Sequence, residues 1–416
     1  MSPTPAEALF GRRTRLAAGI ACALLLACSV AWSLYLSFQK PVFNFDLVDY
    51  VALTIEWREP DPALVQQRTY EVLRAELPPE VYADFTTGGA PTVKGPFRER
   101  IVHDLEAFEA NLGFHRGRYL YTLTVLGLHA LGVPLVTATA WPNRFFWTLN
   151  AILVVVWARR HFALAPAALL ALGVLYSPPV LSQLPGSSPD SMAMFFLALA
   201  ACVLIERRAF RAGLALLTLT VLVRSDFVLV CGGIGLALFL FAERERRPSV
   251  GQLALWLGAC AVIYLAIART ARDPGWWAAF IGVNRRVGTF DELPPVKASF
   301  YLIGMREKLR VMHYLGYDIG GDGSYVRGST FVVAYAVAAV IGATLALRAR
   351  WRELDLHVAL LVGLAIATAV RIVVFPNLWD RYFVYLWVPV PLVLVALFTR
   401  LVARASEPPA AETRPG

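Results

Sequence analysis

Charged residues are scarce in this chain: Asp, Glu, Lys and Arg make up only 17% of its 416 residues, against 57% hydrophobic. A soluble domain is roughly one-quarter charged, so a soluble globular protein of this size is excluded. Cysteine is scarce as well. Cys22, Cys28, Cys202, Cys231 and Cys260 all fall inside apolar runs. They form neither a disulfide framework nor a metal-ligand spacing, and they read as small buried apolar residues. The histidines are His103, His115, His129, His161, His313 and His357, scattered without short metal-ligand spacing. Among them His103 and His115 stand in a polar loop, where a surface or interface histidine is the commoner role. No Walker motif is present, so ATP-driven transport is unsupported and no nucleotide is expected. Gly-x-Ser-x-Gly and His-Glu-x-x-His are missing too. There is no internal repeat and no soluble catalytic domain.

Long hydrophobic runs are abundant. Several approach or exceed the roughly 18–20 apolar residues that cross a bilayer. They are continuous and do not alternate, which argues against a transmembrane barrel. The expected fold class is an all-α polytopic membrane protein. Spans are expected at 16–38, 144–158, 163–180, 190–206, 212–224, 226–242, 250–268, 329–347, 356–375 and 382–402. Arg159-Arg160, Arg207-Arg208 with Arg211, Arg244 to Arg247, Arg348 to Arg352, and Arg404 occupy connectors on one side. The positive-inside rule places these in the cytoplasm, with both termini and about ten crossings. Much of the formal charge of +9 is thereby topological and not a nucleic-acid signature. Arg12-Arg13 and Arg15 before the first run resemble a signal peptide, but the run is long and lacks a small-x-small cleavage site. It is expected to stay as an uncleaved first helix. The apolar segment 119–136 is expected to be re-entrant or interfacial, because a full crossing would turn the later Arg pairs outward.

The membrane domain covers 1–404, with a disordered cytoplasmic tail at 405–416. Two long loops face outside, 39–118 and 269–328. In the first, a helix is expected around 61–76. Phe97, Ile101, Leu105, Phe108 and Leu112 then recur at helical spacing and predict one amphipathic helix lying on the membrane surface. Pro78-Pro79 and Gly88-Gly89 mark turns between the two. The second loop holds Trp276-Trp277, a natural interface anchor, and an amphipathic stretch from Phe300 to Leu315. It is also basic, with Arg269, Arg272, Arg285, Arg286, Lys297, Arg306, Lys308, Arg310 and Arg327. For most of these the simpler role is contact with anionic headgroups.

Unusual polar residues collect at the outer ends of the runs. Asp46 and Asp49 follow the first span. Arg144 opens the second and Asp190 the fourth. Arg224 and Asp226 lie between the fifth and sixth, and Asp380-Arg381-Tyr382 opens the last. Each has a bland reading. Asp190 suits a helix N-terminus, Arg224 with Asp226 suits a turn salt bridge, and Asp380-Arg381 suits an interface pair. Their collection on one side is harder to explain structurally, since each charge carries a desolvation cost near the bilayer. The chemistry that fits is transfer from a lipid phosphate. Arginine holds a phosphate with bidentate geometry, and a carboxylate deprotonates an acceptor hydroxyl. Basic groups then neutralise the departing phosphate.

The ordered series Asp46-Leu47-Val48-Asp49-Tyr50, Phe114-His115-Arg116-Gly117-Arg118-Tyr119-Leu120, Arg144, Ser188-Pro189-Asp190, Leu222-Val223-Arg224-Ser225-Asp226 and Asp380-Arg381-Tyr382 resembles the GT-C superfamily of integral-membrane glycosyltransferases. The likeness covers residues 16–400 as an arrangement, and its single motifs are short and degenerate. It implies a polyprenyl-phosphate sugar donor, a glycan, lipid or protein acceptor, and a site on the outer face of a bacterial inner membrane. It further implies inverting transfer with a first-loop acid as general base, either Asp49 or Asp46. Asp49 is preferred for its Asp-Tyr context. Arg144, Asp190, Arg224, Asp226, Asp380, Arg381 and Tyr382 would contact substrate. The Arg224-Ser225-Asp226 turn departs from the family's Arg-Pro-Glu type, which weakens Asp226 as a contact. Some relatives bind a divalent metal to which Asp190 would contribute, but no cluster in the sequence supports one. Two other classes fit less well. An O-antigen-type polymerase or ligase would lean on Arg and His in the large loop. A lipid or solute transporter would carry charges deep within spans and inverted repeats.

Overall fold

A computed structural model describes residues 5–87, 95–242, 248–271, 297–311, 316–318, 325–348, 355–375 and 380–405. Between turns and connectors the described residues are helical, with one antiparallel hairpin, Gly316–Asp318 with Tyr325–Arg327. Trp276-Trp277, Gly88-Gly89, the Arg244 to Arg247 connector and the loop residues Arg272, Arg285 and Arg286 lie outside them.

The first helix, α1 (Pro5–Gln39), is long, and its outer faces are apolar and exposed. Among the described residues five helices are long and apolar enough to cross a membrane: 13–39, 250–270, 330–348, 356–374 and 381–403. Large apolar side chains project from them, with Leu255 77% exposed. In water that surface would be costly, and in lipid it is solvated.

After α1 the described residues form six short helices: α2 (Asp46–Glu56), α3 (Pro62–Glu76), α4 (Pro79–Thr87), α5 (Gly95–His103), α6 (Leu105–Gly113) and α7 (Tyr119–Ala130). They share their own hydrophobic core, centred on Leu47, Tyr50, Leu73, Phe85, Phe108, Leu112 and Tyr121. The single amphipathic helix expected across 97–112 is in fact two. Asp104 breaks the run in an extended conformation, and its carboxylate accepts from the backbone of Glu106 at 2.9 Å and Ala107 at 3.2 Å. This N-cap satisfies donors that a continuous helix would have used internally. The apolar face is also not a surface face: Ile101, Phe108 and Leu112 are buried against the neighbouring short helices.

The segment 119–136 splits as well. Gly132 turns the chain with φ +91, a conformation that favours glycine, and Pro134 precedes α8 (Leu135–Ala158). The helix expected at 144–158 therefore begins at Leu135, and Arg144 lies well inside it. The described chain continues with α9 (Leu164–Leu175), α10 (Pro178–Leu181), α11 (Asp190–Cys202), α12 (Phe210–Val223), α13 (Val228–Phe241), α14 (Val250–Thr270), α15 (Ala298–Val311), α16 (Gly328–Arg348), α17 (Asp355–Val374), α18 (Val384–Trp387) and α19 (Pro389–Ala405). The run at 163–180 is interrupted at Ser177-Pro178 and the last run at Val388-Pro389, where proline withholds a backbone donor. The 190–206 run ends in a π-helical turn, Val203–Arg207.

The main core fills the space among α8, α11 to α13 and α16 to α19. Its tightest crossing joins α13 to α17. A Cβ on Gly363 would sit 2.6 Å from the Ile234 Cα, and one on Gly233 would strike the Gly363 carbonyl. Small residues at such crossings let helix backbones approach where lipid supplies no hydrophobic drive.

Candidate functional site

Asp46 and Asp49 both lie in the first turn of α2. Three residues apart on a helix, their side chains share one face. That face meets the turn linking α6 to α7, which carries His115 and Arg118. Arg116 holds this turn by forking onto Glu56 at 2.7 and 3.1 Å and reaching Glu109 at 2.7 Å. Gly117 lets the turn approach the Arg224-Ser225-Asp226 turn, since a Cβ there would lie 3.1 Å from Ser225 Oγ.

The other contributors come from distant sequence. Asp190 begins α11, beneath a loop pinned by Asn143, which donates to the Gly186 carbonyl at 2.8 Å and to Ser188 Oγ at 3.0 Å. Arg224 ends α12, and Asp226 follows in a one-turn 3-10 helix. Arg371 lies near the end of α17. Arg381 and Tyr382 belong to the 3-10 turn Asp380–Phe383.

These groups form one continuous chain of opposite charges. Asp49 Oδ1 accepts from Asn111 at 2.6 Å, and Oδ2 is 3.1 Å from His115 Nδ1. The imidazole's other nitrogen is 3.6 Å from Asp46. Asp46 also accepts from Arg381 at 2.6 Å and stands 3.8 Å from Arg118. Arg381 Nε lies 3.6 Å from Asp190, which Arg224 contacts directly. Arg224 forks onto Asp226 at 3.1 and 3.0 Å and donates to the Arg381 carbonyl at 2.9 Å. Arg371 closes the series on Asp226 at 2.9 Å. The Tyr382 ring lies under both Arg224 and Arg371, 6.0 and 5.0 Å from their guanidinium carbons.

Burial grades across the cluster. Asp49 and Asp190 are each 1% exposed. Asp46 and Asp226 keep 22% and 28% of their side-chain surface. Asp49 Oδ2 and Asp190 Oδ2 receive no aligned hydrogen bond among the described residues. Each is a buried acceptor facing a cation, available to a further donor.

The two acids of α2 have opposite electrostatic characters. Burial pushes the Asp49 carboxyl up to about 6, and the nearby Asp46 charge adds to the rise while His115 opposes it. Burial acts on Asp46 in the same sense, but Arg381, His115 and Arg118 outweigh it and hold that carboxyl well below its ordinary value. His115 is raised, because Asp49 and Asp46 together outweigh its burial. Burial lowers Arg118. Neighbouring groups pushed apart in this way separate a proton acceptor from a fixed charge.

Of the residues singled out from sequence, Asp46, Asp49, Asp190, Arg224, Asp226, Arg381 and Tyr382 converge. Asp380 begins the same turn, and its side chain lies outside the described part. Arg144 does not open a helix and stands apart from the cluster. It donates to the Ser37 carbonyl at 2.6 Å and to Ser37 Oγ at 3.2 Å, with its guanidinium 4.2 Å from the Phe38 ring centre. It thereby satisfies a terminal carbonyl of α1, where a cation also meets the negative end of the helix dipole. His115, Arg118, Asn111 and Arg371 are members that the sequence reading did not assign to the site. His115 and Arg118 sit in a quoted motif, whereas Asn111 and Arg371 carried no local signal.

A divalent metal was one implication of the resemblance. Among the described residues no three His, Cys, Asp or Glu side chains converge to hold one, and Asp190 is already engaged by Arg224 and Arg381. That donor set does not fit a metal site. What the cluster offers is a near-neutral proton acceptor beside several guanidiniums.

Compared with family models, curated proteins and solved structures, the chain matches none.

Proposed function

We propose that this chain is a GT-C-like glycosyltransferase that moves a sugar from a polyprenyl-phosphate carrier to an acceptor on the outer face of a bacterial inner membrane. The observation that carries the reading is Asp49, poised near pKa 6, in one network with Arg118, Arg224 and Arg381.

In this reaction Asp49 takes the proton from an acceptor hydroxyl, with His115 beside it to stabilise or pass on that proton. The acceptor oxygen bonds to the anomeric carbon as the bond from that carbon to the phosphate oxygen breaks, which inverts the centre. The electron pair leaves on the polyprenyl phosphate. Guanidiniums neutralise the charge that develops there, the step where preorganised dipoles and cations contribute most. Asp46 acts as a fixed anion that orients Arg381 and Arg118. Asp190 and Asp226 do the same for Arg224 and Arg371. Asp380 and Tyr382 border the donor side, and Arg144 holds α1 in place.

The topology that suits this reading has about ten crossings and cytoplasmic termini. The five long apolar helices supply half of them. The others would be α8, α9, α11 with its π-turn, α12 and α13. Helices of 12 to 14 residues such as α9, α12 and α13 reach only about 18–21 Å. They cross if the bilayer thins locally or if flanking turns extend them.

The decisive experiment is transfer by the purified chain in proteoliposomes loaded with polyprenyl-phosphate sugars. Product that appears with the wild type and disappears with Asp49→Asn supports the proposal. Solute counterflow without any product would replace it with a transporter.

A further inference from the structure

A second charged cluster is built around Glu206, at the far end of the helical rod that begins with Asp190. The rod is α11 continued by the π-turn Val203–Arg207. At 1.5 Å per residue the two acids are about 24 Å apart, close to the hydrocarbon thickness of about 30 Å.

Glu206 is one carboxylate shared among several donors. Oε1 accepts from Trp157 Nε1 at 3.0 Å and lies 3.3 Å from His161 Nε2. Oε2 has Arg160 at 4.0 Å and Arg400 at 3.8 Å. Those separations pair charges without a direct hydrogen bond. Among the described residues neither the Arg160 nor the Arg400 guanidinium makes a hydrogen bond, and their side chains are 37% and 33% exposed. Arg159, Arg207, Arg208 and Arg211 belong to the same ends of α8 and α12. Cationic charge therefore exceeds what one carboxylate neutralises.

Three further features set this region apart from a solvated basic rim. The chain leaves α11 through a π-turn, a form that recurs at functional sites. Arg208 then adopts φ +51, which non-glycine residues rarely do. Finally, His357 from α17 is fully buried with neither ring nitrogen hydrogen-bonded among the described residues, and His161 Nε2 also lacks an aligned partner.

We propose that this cluster is a phosphate-binding site on the side of the bilayer opposite the acid–arginine network, with Arg160 and Arg400 as its fork. A phosphate ester supplies the missing negative charge and accepts bidentate hydrogen bonds from both guanidiniums. Two sources carry that chemistry: an anionic phospholipid headgroup, or a soluble phosphate. The position of Arg400 within the apolar 381–403 helix favours the lipid. Glu206 Oε2 holds the two arginines beside one another, at 4.0 and 3.8 Å.

The test uses the full-length chain in nanodiscs of phosphatidylglycerol or phosphatidylcholine, and in neutral detergent with added inorganic phosphate. Thermal unfolding and lipid retention in native mass spectrometry are read for the wild type and for Arg160→Gln with Arg400→Gln. A rise in Tm and retained lipid with phosphatidylglycerol alone, lost in the double variant, establishes the headgroup site. A shift with millimolar phosphate in detergent, equally lost in the variant, assigns a soluble phosphate to it. Equal behaviour in both nanodiscs with no response to phosphate would overturn the proposal, as would a response that survives the double variant. If that variant fails to fold, Arg160→Lys with Arg400→Lys keeps the charges and removes the fork. Its affinity for the same probe should fall by about tenfold. The readout is binding, so its failure leaves the transferase reading untouched.

Discussion

Arg381 donates to Asp46 at 2.6 Å across a sequence separation of 335 residues, while its own carbonyl accepts from Arg224 at 2.9 Å. One residue of a single 3-10 turn thereby ties the first loop to the end of α12. The late turn is a structural member of the site and not merely a lid near it. Its guanidinium also stands 3.6 Å from Asp190, so three segments depend on one residue, two through its side chain and one through its carbonyl.

The base assignment is tested by Asp49→Asn. A positioned general base contributes about 10²–10⁴-fold, so kcat/KM should fall by that amount while detergent-solubilised protein stays monodisperse. Asp46→Asn should instead weaken donor binding and raise KM, because it releases Arg381 and Arg118. Normal turnover by both variants would remove the base from this loop.

Activity should depend on pH through Asp49. The carboxylate is the active form, so with a pKa of about 6 kcat/KM should rise about tenfold per unit below that value and level off above it. His115, raised by its acidic neighbours and 3.1 Å from Asp49, favours the carboxylate when protonated. Removing that charge with His115→Gln should move the rising limb to higher pH. A limb that moves to lower pH, or stays fixed, argues that His115 does not act on Asp49.

Arg224 neutralises Asp190, and both are almost fully buried. Breaking a buried pair costs about 3–5 kcal/mol, because one charge is left uncompensated. Arg224→Met should therefore lower thermal stability sharply, and adding Asp190→Leu should recover part of the loss. A double-mutant cycle of unfolding in detergent measures the coupling. Additive losses would show that the pair is not a unit.

Arg144→Gln separates a structural from a substrate role. Loss of charged hydrogen bonds to Ser37 should cost about 1.5–3 kcal/mol of stability. The kcat/KM of the remaining folded protein should stay within about twofold of wild type. A large rise in donor KM would return Arg144 to the substrate side.

Donor chemistry distinguishes the proposed transferase from a polymerase or ligase. Monophosphate-linked sugars should be used and pyrophosphate-linked oligosaccharides should not. The reverse preference in the same proteoliposome assay would reassign the reaction.

Apolar runs and proline or glycine punctuation are local properties, so the sequence alone determined the membrane character and most helix positions. Asp46 and Asp49 share one helical face because they stand three apart in α2, a helix that was not expected from the sequence. The break at Asp104 was less legible, since a capping aspartate competes with a continuous apolar period and only the backbone geometry resolves the contest. Tertiary structure decided which helix ends meet. Arg144 and Arg224 look alike in sequence, each an arginine beside an apolar run, yet one caps α1 and the other joins Asp190 and Asp226. Nothing local distinguishes them: a long guanidinium pairs with whatever acceptor packing brings within reach. That choice was made by contacts between distant segments, such as the close approach of Gly233 to Gly363 and of Gly117 to Ser225. Charge type is written residue by residue, but charge pairing is a property of the packed chain.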